Sequence, residues 1–288
     1  MIGKSRQLAA EGRPHLHGQF SQGCGVLQHS PSPGSYRHTR YAPSSALANW
    51  VQHFWIETWN WDGAEPQRRE VLPHPCVHLA FVPGRSRIFG VQLGRFVREL
   101  RGQGRVVGVK FRPGAFYPFL LRPVTTIANT SLPLQELFVG AAGAEREVFA
   151  SSDDAEMIEV ASHFIGARLP RWDPAIGLAC EIVEAIAADN EITRVEHILA
   201  RWEMKERTLQ RLFARYVGAS ARWVIKRYRV YESLEWLSSD QYPDWAHLAL
   251  ELGYFDQAHF INDFRKLVGW TPVDYHRACR SMTAHRSQ

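Results

Sequence analysis

Basic and amide side chains recur on one face of a predicted helix that begins near residue 206. Arg207, Gln210 and Arg211 point away from Leu209 and its apolar neighbours, because successive helical residues are turned by about 100°. In the major groove of DNA, arginine can pair bidentately with guanine, and glutamine with adenine. The outward face of this helix therefore carries residue types that can read base edges.

A second predicted helix, beginning near residue 257, exposes a different polar set. Asn262 could address adenine and Ile261 a thymine methyl group, while Gln257 and His259 lie near the amino end. That end enters the groove in helix-turn-helix motifs. The alternative is that both faces are the solvated sides of ordinary amphipathic helices.

The two helices belong to an internal repeat with a spacing of 51 residues. Leu209–Gly218 and Phe260–Gly269 coincide in their apolar positions and in the terminal glycine. Upstream, the match is looser, with Val195, Ile198 and Leu199 aligned to Ala246, Ala249 and Leu250. The repeat predicts two units, at about 193–217 and 244–268, each with a short helix, a turn and a longer second helix.

Charge is concentrated at the first unit. The formal net charge is only +5, but residues 201–229 contain nine Lys or Arg against two Glu. Between 240 and 268, acidic residues outnumber basic ones. Six residues are predicted to contact phosphate groups: Lys205, Arg215, Arg222, Lys226, Arg265 and Lys266. We expect the first unit to contribute most of the affinity for a nucleic acid.

Local signals place the helix ends. Pro174 suits a first helical turn, Ser220 and Asp256 suit N-cap positions, and Gly269 suits a helix end. Residues 238–240 are predicted to end the helix that starts after Ser220.

At these residues the chain resembles the AraC/XylS family of bacterial transcription regulators, over residues 175–280. The resemblance rests on segments at the family spacing: Glu206–Phe213, Val217–Gly218, a linker helix from Ser220, Ala249–Tyr254, Asp256–Phe260, Phe264–Lys266 and Gly269–Tyr275. It implies a seven-helix DNA-binding domain with two helix-turn-helix units joined by a central helix. It also implies base-reading positions at Arg207, Gln210 and Arg211, and at Gln257, His259, Ile261 and Asn262. Asp263 departs from the family pattern.

Residues 35–170 are predicted to form an α+β sensor domain, β-rich and antiparallel, ahead of the all-α domain. Four strands are expected, at Val51–Glu57, Val77–Val82, Phe96–Leu100 and Arg105–Phe111, with a hairpin turn at Gly102 and Gly104. Helices are expected at 115–121, 134–139 and 153–167. Residues 1–34 are interpreted as a flexible leader and 281–288 as a tail.

Two segments of this domain, Leu72–Leu79 and Gly108–Gly114, resemble a subgroup of amino-terminal domains found on AraC-type regulators, which brings no assigned ligand. If residues 74–79 are extended, His74, Cys76 and His78 share a face and could bind metal, but a half-buried strand is the favoured interpretation. Arg112 could orient a ligand carboxylate or brace its turn.

We predict neither a metal nor a cofactor, and no enzymatic activity, because the sequence contains no nucleophile elbow, P-loop, dinucleotide fingerprint or zinc-protease motif. The alternative is a DNA-binding domain fused to a metal-dependent or alkyl-acceptor module that uses Cys76, or the face shared by His74, Cys76 and His78. Four cysteines without a CxxC pair, and the lack of a long apolar run, predict a cytoplasmic protein. The expected partners are double-stranded DNA and a small-molecule effector. RNA polymerase contact and a homodimer are left open.

Overall fold

The computed structural model describes residues 35–61, 63, 65–237 and 244–286. The predicted leader, 1–34, and the predicted helix end at 238–240 lie outside the described residues. The predicted fold class is confirmed: an antiparallel, β-rich amino-terminal part precedes a helical carboxy-terminal part. No helix in the described ranges is both long and apolar enough to cross a membrane.

The amino-terminal part is organised around a sheet of six antiparallel strands. The described residues of this part contain eight strands, six of them in this sheet. In chain order, they are β1 Ser35–Tyr41, β2 Val51–Trp61, β3 Gln67–Val71, β4 His78–Phe81, β5 Arg87–Phe89, β6 Phe96–Leu100, β7 Gly102–Phe111 and β8 Ser131–Pro133. The sheet has the order β1-β2-β7-β4-β5-β8, while β3 and β6 form a separate two-stranded ribbon.

The predicted hairpin at Gly102 and Gly104 is wrong. β6 pairs with β3, and β7 pairs with β2 and β4, so the two strands flanking residue 101 belong to different sheets. Gly104 lies inside β7, opposite Trp59. A Cβ atom there would lie 2.1 Å from the Trp59 ring, so this glycine makes room for an indole instead of forming a turn.

One face of the sheet packs against helices. α1 Tyr117–Leu120 and α3 Asp154–Gly166 correspond to predicted helices, whereas α2 Ala141–Ala150 was not predicted from the sequence. The third predicted helix, at 134–139, is only a short 3-10 turn at Leu134–Glu136. Phe111 lies 4.9 Å from Phe116 between ring centroids, and Phe81 lies 5.6 Å from Phe164. These contacts place the sheet core directly beneath α1 and α3.

Seven α-helices of the described residues make up the carboxy-terminal part. They are α4 Pro174–Ala188, α5 Val195–Arg201, α6 Glu206–Leu212, α7 Ala221–Leu237, α8 Trp245–Glu251, α9 Gln257–Val268 and α10 Pro272–Arg286. A π-helical segment, Phe213–Val217, continues α6. The last helix extends past residue 280, into the predicted tail. One hydrophobic core runs through both parts of the chain.

The predicted end signals lie where the helices need them. Pro174 occupies the first turn of α4, and the Ser220 hydroxyl accepts the Trp223 amide at 3.2 Å at the start of α7. Asp256 accepts the His259 amide at 2.7 Å and caps α9. Gly269 ends α9 with φ +86°, and Gly218 ends the π-helical segment with φ +87°. Both glycines adopt the left-handed conformation that other residues disfavour.

The 51-residue register holds only for the second helix of each unit. α6 and α9 begin 51 residues apart, but α5 and α8 begin 50 apart. Ile198 is therefore equivalent to buried Leu248, and the predicted alignment of Leu199 with Leu250 is wrong, because Leu250 is 62% exposed. The turn of the second unit is one residue longer than the turn of the first.

Candidate nucleic-acid interface

The first recognition helix, α6, has a sharply divided surface. Leu209 and Leu212 are buried, while Arg207, Gln210 and Arg211 are exposed. The Gln210 amide donates to the Glu206 carboxylate at 3.0 Å, one turn earlier on the helix. The three predicted base-reading side chains of this unit thus share an open face.

The π-helical segment after α6 rests on the amino-terminal part. The Arg215 guanidinium donates to the Tyr117 hydroxyl and lies 4.4 Å from the centre of that ring. Tyr216 packs against the same ring at 4.6 Å and donates to Asp173. Burial, followed by the Asp173 hydrogen bond, raises the pKa of Tyr216 to about 12. The predicted phosphate contact of Arg215 thus competes with an intramolecular one.

The second recognition helix, α9, buries Phe260, Phe264 and Val268. Gln257, His259 and Asn262 are exposed, and Ile261 is half-buried. The His259 ring lies edge-on to buried Tyr254 at 5.2 Å. Three of the four predicted base-reading side chains are therefore open to solvent, and the fourth is partly so.

Asp263 ties α9 to the linker helix α7. Its carboxylate lies 2.5 Å from Lys226 Nζ and 3.6 Å from His259 Nε2. Lys226 is 39% exposed and Asp263 only 16%. This carboxylate, which departs from the family pattern, is thus largely enclosed and paired. The remaining residues predicted to contact phosphate are all exposed: Lys205, Arg222, Arg265 and Lys266.

Residues 90–95 form a loop of the amino-terminal part that reaches the linker helix α7 and the glycines that end both units, Gly218 and Gly269, and sequence reasoning missed it. The Leu93 carbonyl accepts hydrogen bonds from Trp223 Nε1 at 3.0 Å and Arg227 Nη2 at 3.2 Å, both on α7. Arg95 approaches so closely that a Cβ on Gly269 would lie 2.4 Å from its Cζ atom. Arg95 also pairs with Glu70 at 2.5 Å. No motif in the sequence marks this loop.

Arg227 is the most deeply buried charged residue in the contact between the 90–95 loop and α7. Its side chain is fully buried, lies 4.6 Å from the Trp223 ring centre, and has two nitrogens without a hydrogen-bond partner among the described residues. Burial lowers its pKa to about 10. Because a buried cation is costly unless paired, the bond to Leu93 is an important anchor for the 90–95 loop.

The predicted strand through residues 74–79 is wrong at its start. β4 begins at His78, and the Cys76 amide donates to the His74 carbonyl at 2.8 Å, which bends the chain. His74 stacks on Tyr231 of α7 at 4.6 Å between ring centroids. Burial and nearby Lys110 lower the pKa of His78 to about 3 and hold that of His74 well below 6.5. Within the described ranges, no group of three or more His, Cys, Asp or Glu could hold a metal ion.

Arg112 braces the junction between the two parts. Its guanidinium pairs with Glu184 on α4 and lies 3.4 Å from the Ala48 carbonyl. The brace therefore joins two parts of the chain and is not the predicted brace of the residue's own turn.

Two family comparisons match separate parts of the chain. Residues 39–133 match a domain of unknown function (DUF6597), and residues 198–278 match a helix-turn-helix domain. No curated protein matches the chain.

Solved structures that match include ToxT from Vibrio cholerae. An apo variant of ToxT has 11% identity and a TM-score of 0.37, covering 87% of this chain and 100% of that one. ToxT bound to (E)-4-(8-methylnaphthalen-1-yl)but-3-enoic acid has 11% identity and a TM-score of 0.38, covering 86% and 100%.

Proposed function

We propose that this chain, whose residues 198–278 match a helix-turn-helix domain, is a transcription regulator of the AraC type that binds specific sequences of double-stranded DNA. The observation that carries the proposal is the open face of α6. There, Arg207, Gln210 and Arg211 are exposed above a fully apolar inner face. Arginine and glutamine on such a face match the donor and acceptor pattern of the major groove.

The predicted base-reading set remains part of the proposal. Arg207, Gln210 and Arg211 act in the first unit; Gln257, His259, Ile261 and Asn262 act in the second. The exposed cations Lys205, Arg222, Arg265 and Lys266 contact phosphate groups. Arg215 and Lys226 reach phosphate only if their intramolecular partners, Tyr117 and Asp263, release them.

The test is a salt-dependent titration of the full-length chain with duplex DNA. Full-length protein is needed because the helical part shares its hydrophobic core with the amino-terminal part. We expect the logarithm of the binding constant to fall linearly with the logarithm of salt concentration, because each phosphate contact releases a counterion. If the folded protein binds no duplex DNA at low salt, the proposed function as a transcription regulator is wrong.

We also propose that a small-molecule effector bound to residues 35–170 modulates DNA binding. The support is mechanical: the 90–95 loop contacts α7 at Leu93 and the end of α9 at Arg95. A shift of this loop would change how the two recognition helices are held. A compound that raises the unfolding midpoint but leaves the duplex Kd unchanged would argue against modulation.

The alternative, an alkyl-acceptor or metal-dependent module, gains no specific support. An acceptor cysteine must react as thiolate, and burial raises the pKa of the Cys76 thiol. His74 stacks on Tyr231 and does not share a strand face with Cys76 and His78.

A further inference from the structure

Phe255 is an exposed aromatic residue at the turn of the second helix-turn-helix unit. Its side chain is 87% exposed, in contrast to the buried neighbour Tyr254. A phenylalanine held in water buries little apolar surface within the fold, so packing does not account for it. A second large apolar side chain of the same unit, Leu250, is also exposed.

Comparison of the two turns identifies Phe255 as the additional residue. The Met204 amide donates to Leu199 in the first turn, as the Tyr254 amide donates to Ala249 in the second. After Met204 comes the N-cap of α6 directly. After Tyr254 comes Phe255, and only then the N-cap of α9. The longer turn thus inserts one aromatic residue immediately before the second recognition helix.

The position of Phe255 places it at the DNA-facing end of α9. It precedes the N-cap, Asp256, and stands two residues before Gln257. In helix-turn-helix motifs the amino end of the recognition helix contacts base edges. Phenylalanine is among the residues that contact the C5-methyl group of thymine.

We propose that Phe255 contacts a thymine methyl group in the half-site read by the second unit. The inference rests on the proposed function, which it deepens by naming an apolar determinant of specificity. It fits the composition of this unit, where Arg265 and Lys266 are the basic residues between 240 and 268. Apolar contact supplies affinity that does not depend on counterion release.

The experiment uses an operator selected from random duplexes with full-length wild-type protein. Phe255→Ala should weaken binding about threefold to tenfold, roughly the effect of losing one small apolar contact. The salt dependence should keep its slope, because the ring neutralises no phosphate. The unfolding midpoint should not change, because the side chain is exposed. Phe255→Leu keeps an apolar contact and should retain part of the affinity.

Uracil substitution locates the contact. Replacing each thymine of the operator by deoxyuridine removes only the C5-methyl group. At one position, this should weaken the wild-type complex about threefold and leave the Phe255→Ala complex unaffected. Val139→Ala, at a 91% exposed apolar residue of the amino-terminal part, is the matched control and should bind like wild type.

Two results would overturn the inference while leaving the proposed function intact: wild-type affinity for Phe255→Ala, or the same uracil sensitivity in both proteins at every position. A wild-type protein that selects no duplex would instead overturn the proposed function, and this inference with it.

Discussion

The two helix-turn-helix units have the same plan but rest on different supports. The end of the first unit, Gly218, packs against Val91 and Val124 of the amino-terminal part, and Arg215 lies on Tyr117. At the end of the second unit, the atoms nearest to a Cβ on Gly269 would be those of the Arg95 guanidinium, at the tip of a long side chain. The end of the first unit is thus embedded against the amino-terminal part, whereas the end of the second unit is more peripheral.

The units also differ in charge, but the structure shows that the acidic charge of the second unit is partly neutralised by an ion pair. The basic cluster, residues 201–229, covers the first recognition helix and the start of α7, as the sequence indicates. In the second unit, Asp263 is paired with Lys226, so its charge stabilises the position of α9 on α7 instead of facing the solvent unpaired. Composition therefore exaggerates how strongly the second unit would repel phosphate.

The largest expected effect is on the free energy of unfolding, when each of the two glycines that end the recognition segments, Gly218 and Gly269, is replaced by alanine. Alanine at either costs about 1–2 kcal/mol of stability, because both have left-handed backbone. At Gly218, the new Cβ would also lie 2.7 Å from Val124, a fully buried side chain, which adds about 1–3 kcal/mol of overpacking. Urea unfolding should show Gly218→Ala to be clearly less stable than Gly269→Ala.

Gly269→Ala serves as the matched control, since it has the same backbone strain but meets an arginine tip that can move. Gly143→Ala adds a second reference, for a glycine-to-alanine change without overpacking, because a Cβ atom there would meet nothing within 4 Å. Equal destabilisation at Gly218 and Gly269 would mean that the first unit is not embedded as described.

The next effect concerns DNA affinity. Arg211→Ala removes an exposed guanidinium from the basic unit and should cost about 1–3 kcal/mol of binding free energy, with relaxed preference at one base pair. Asn262→Ala removes a neutral amide from the second unit and should cost distinctly less. Footprinting and titration of both variants on one operator measure the difference.

Arg122→Ala, which removes an exposed arginine of the amino-terminal part, controls for the loss of charge alone. If Asn262→Ala proves the more damaging variant, the unequal division between the units fails, whereas the DNA-binding assignment stands.

Periodicity and capping predict the second helix of each unit correctly. Leu209, Phe213, Phe260 and Phe264 are buried as their spacing indicates, and Asp256 caps α9. These features depend on neighbours within a few residues in the chain. The upstream register failed by one residue because a single insertion in a turn shifts a short helix without disturbing its own apolar pattern.

Pairing between distant segments could not be predicted. β6 joins β3 across a long stretch of chain, while a Gly-rich connection suggested a local hairpin with β7. The contacts of Leu93 with Trp223 and Arg227 join residues more than a hundred positions apart. The acceptor in these contacts is a backbone carbonyl, which every residue has. The role of the 90–95 loop therefore cannot be predicted from its side chains.

The smallest expected effect tests whether Asp263 fastens the second unit to α7. Lys226→Met and Asp263→Asn each break the 2.5 Å pair, and a double-mutant cycle isolates their coupling in the free energy of unfolding. Because Lys226 is 39% exposed, the coupling should be favourable but no more than about 1 kcal/mol, and should shrink at high salt. His259→Gln, at the more distant neighbour of Asp263, should couple less strongly. Coupling near zero would mean that α9 is held by its apolar face alone, and Asp263 would then count against phosphate binding, as its charge first suggests.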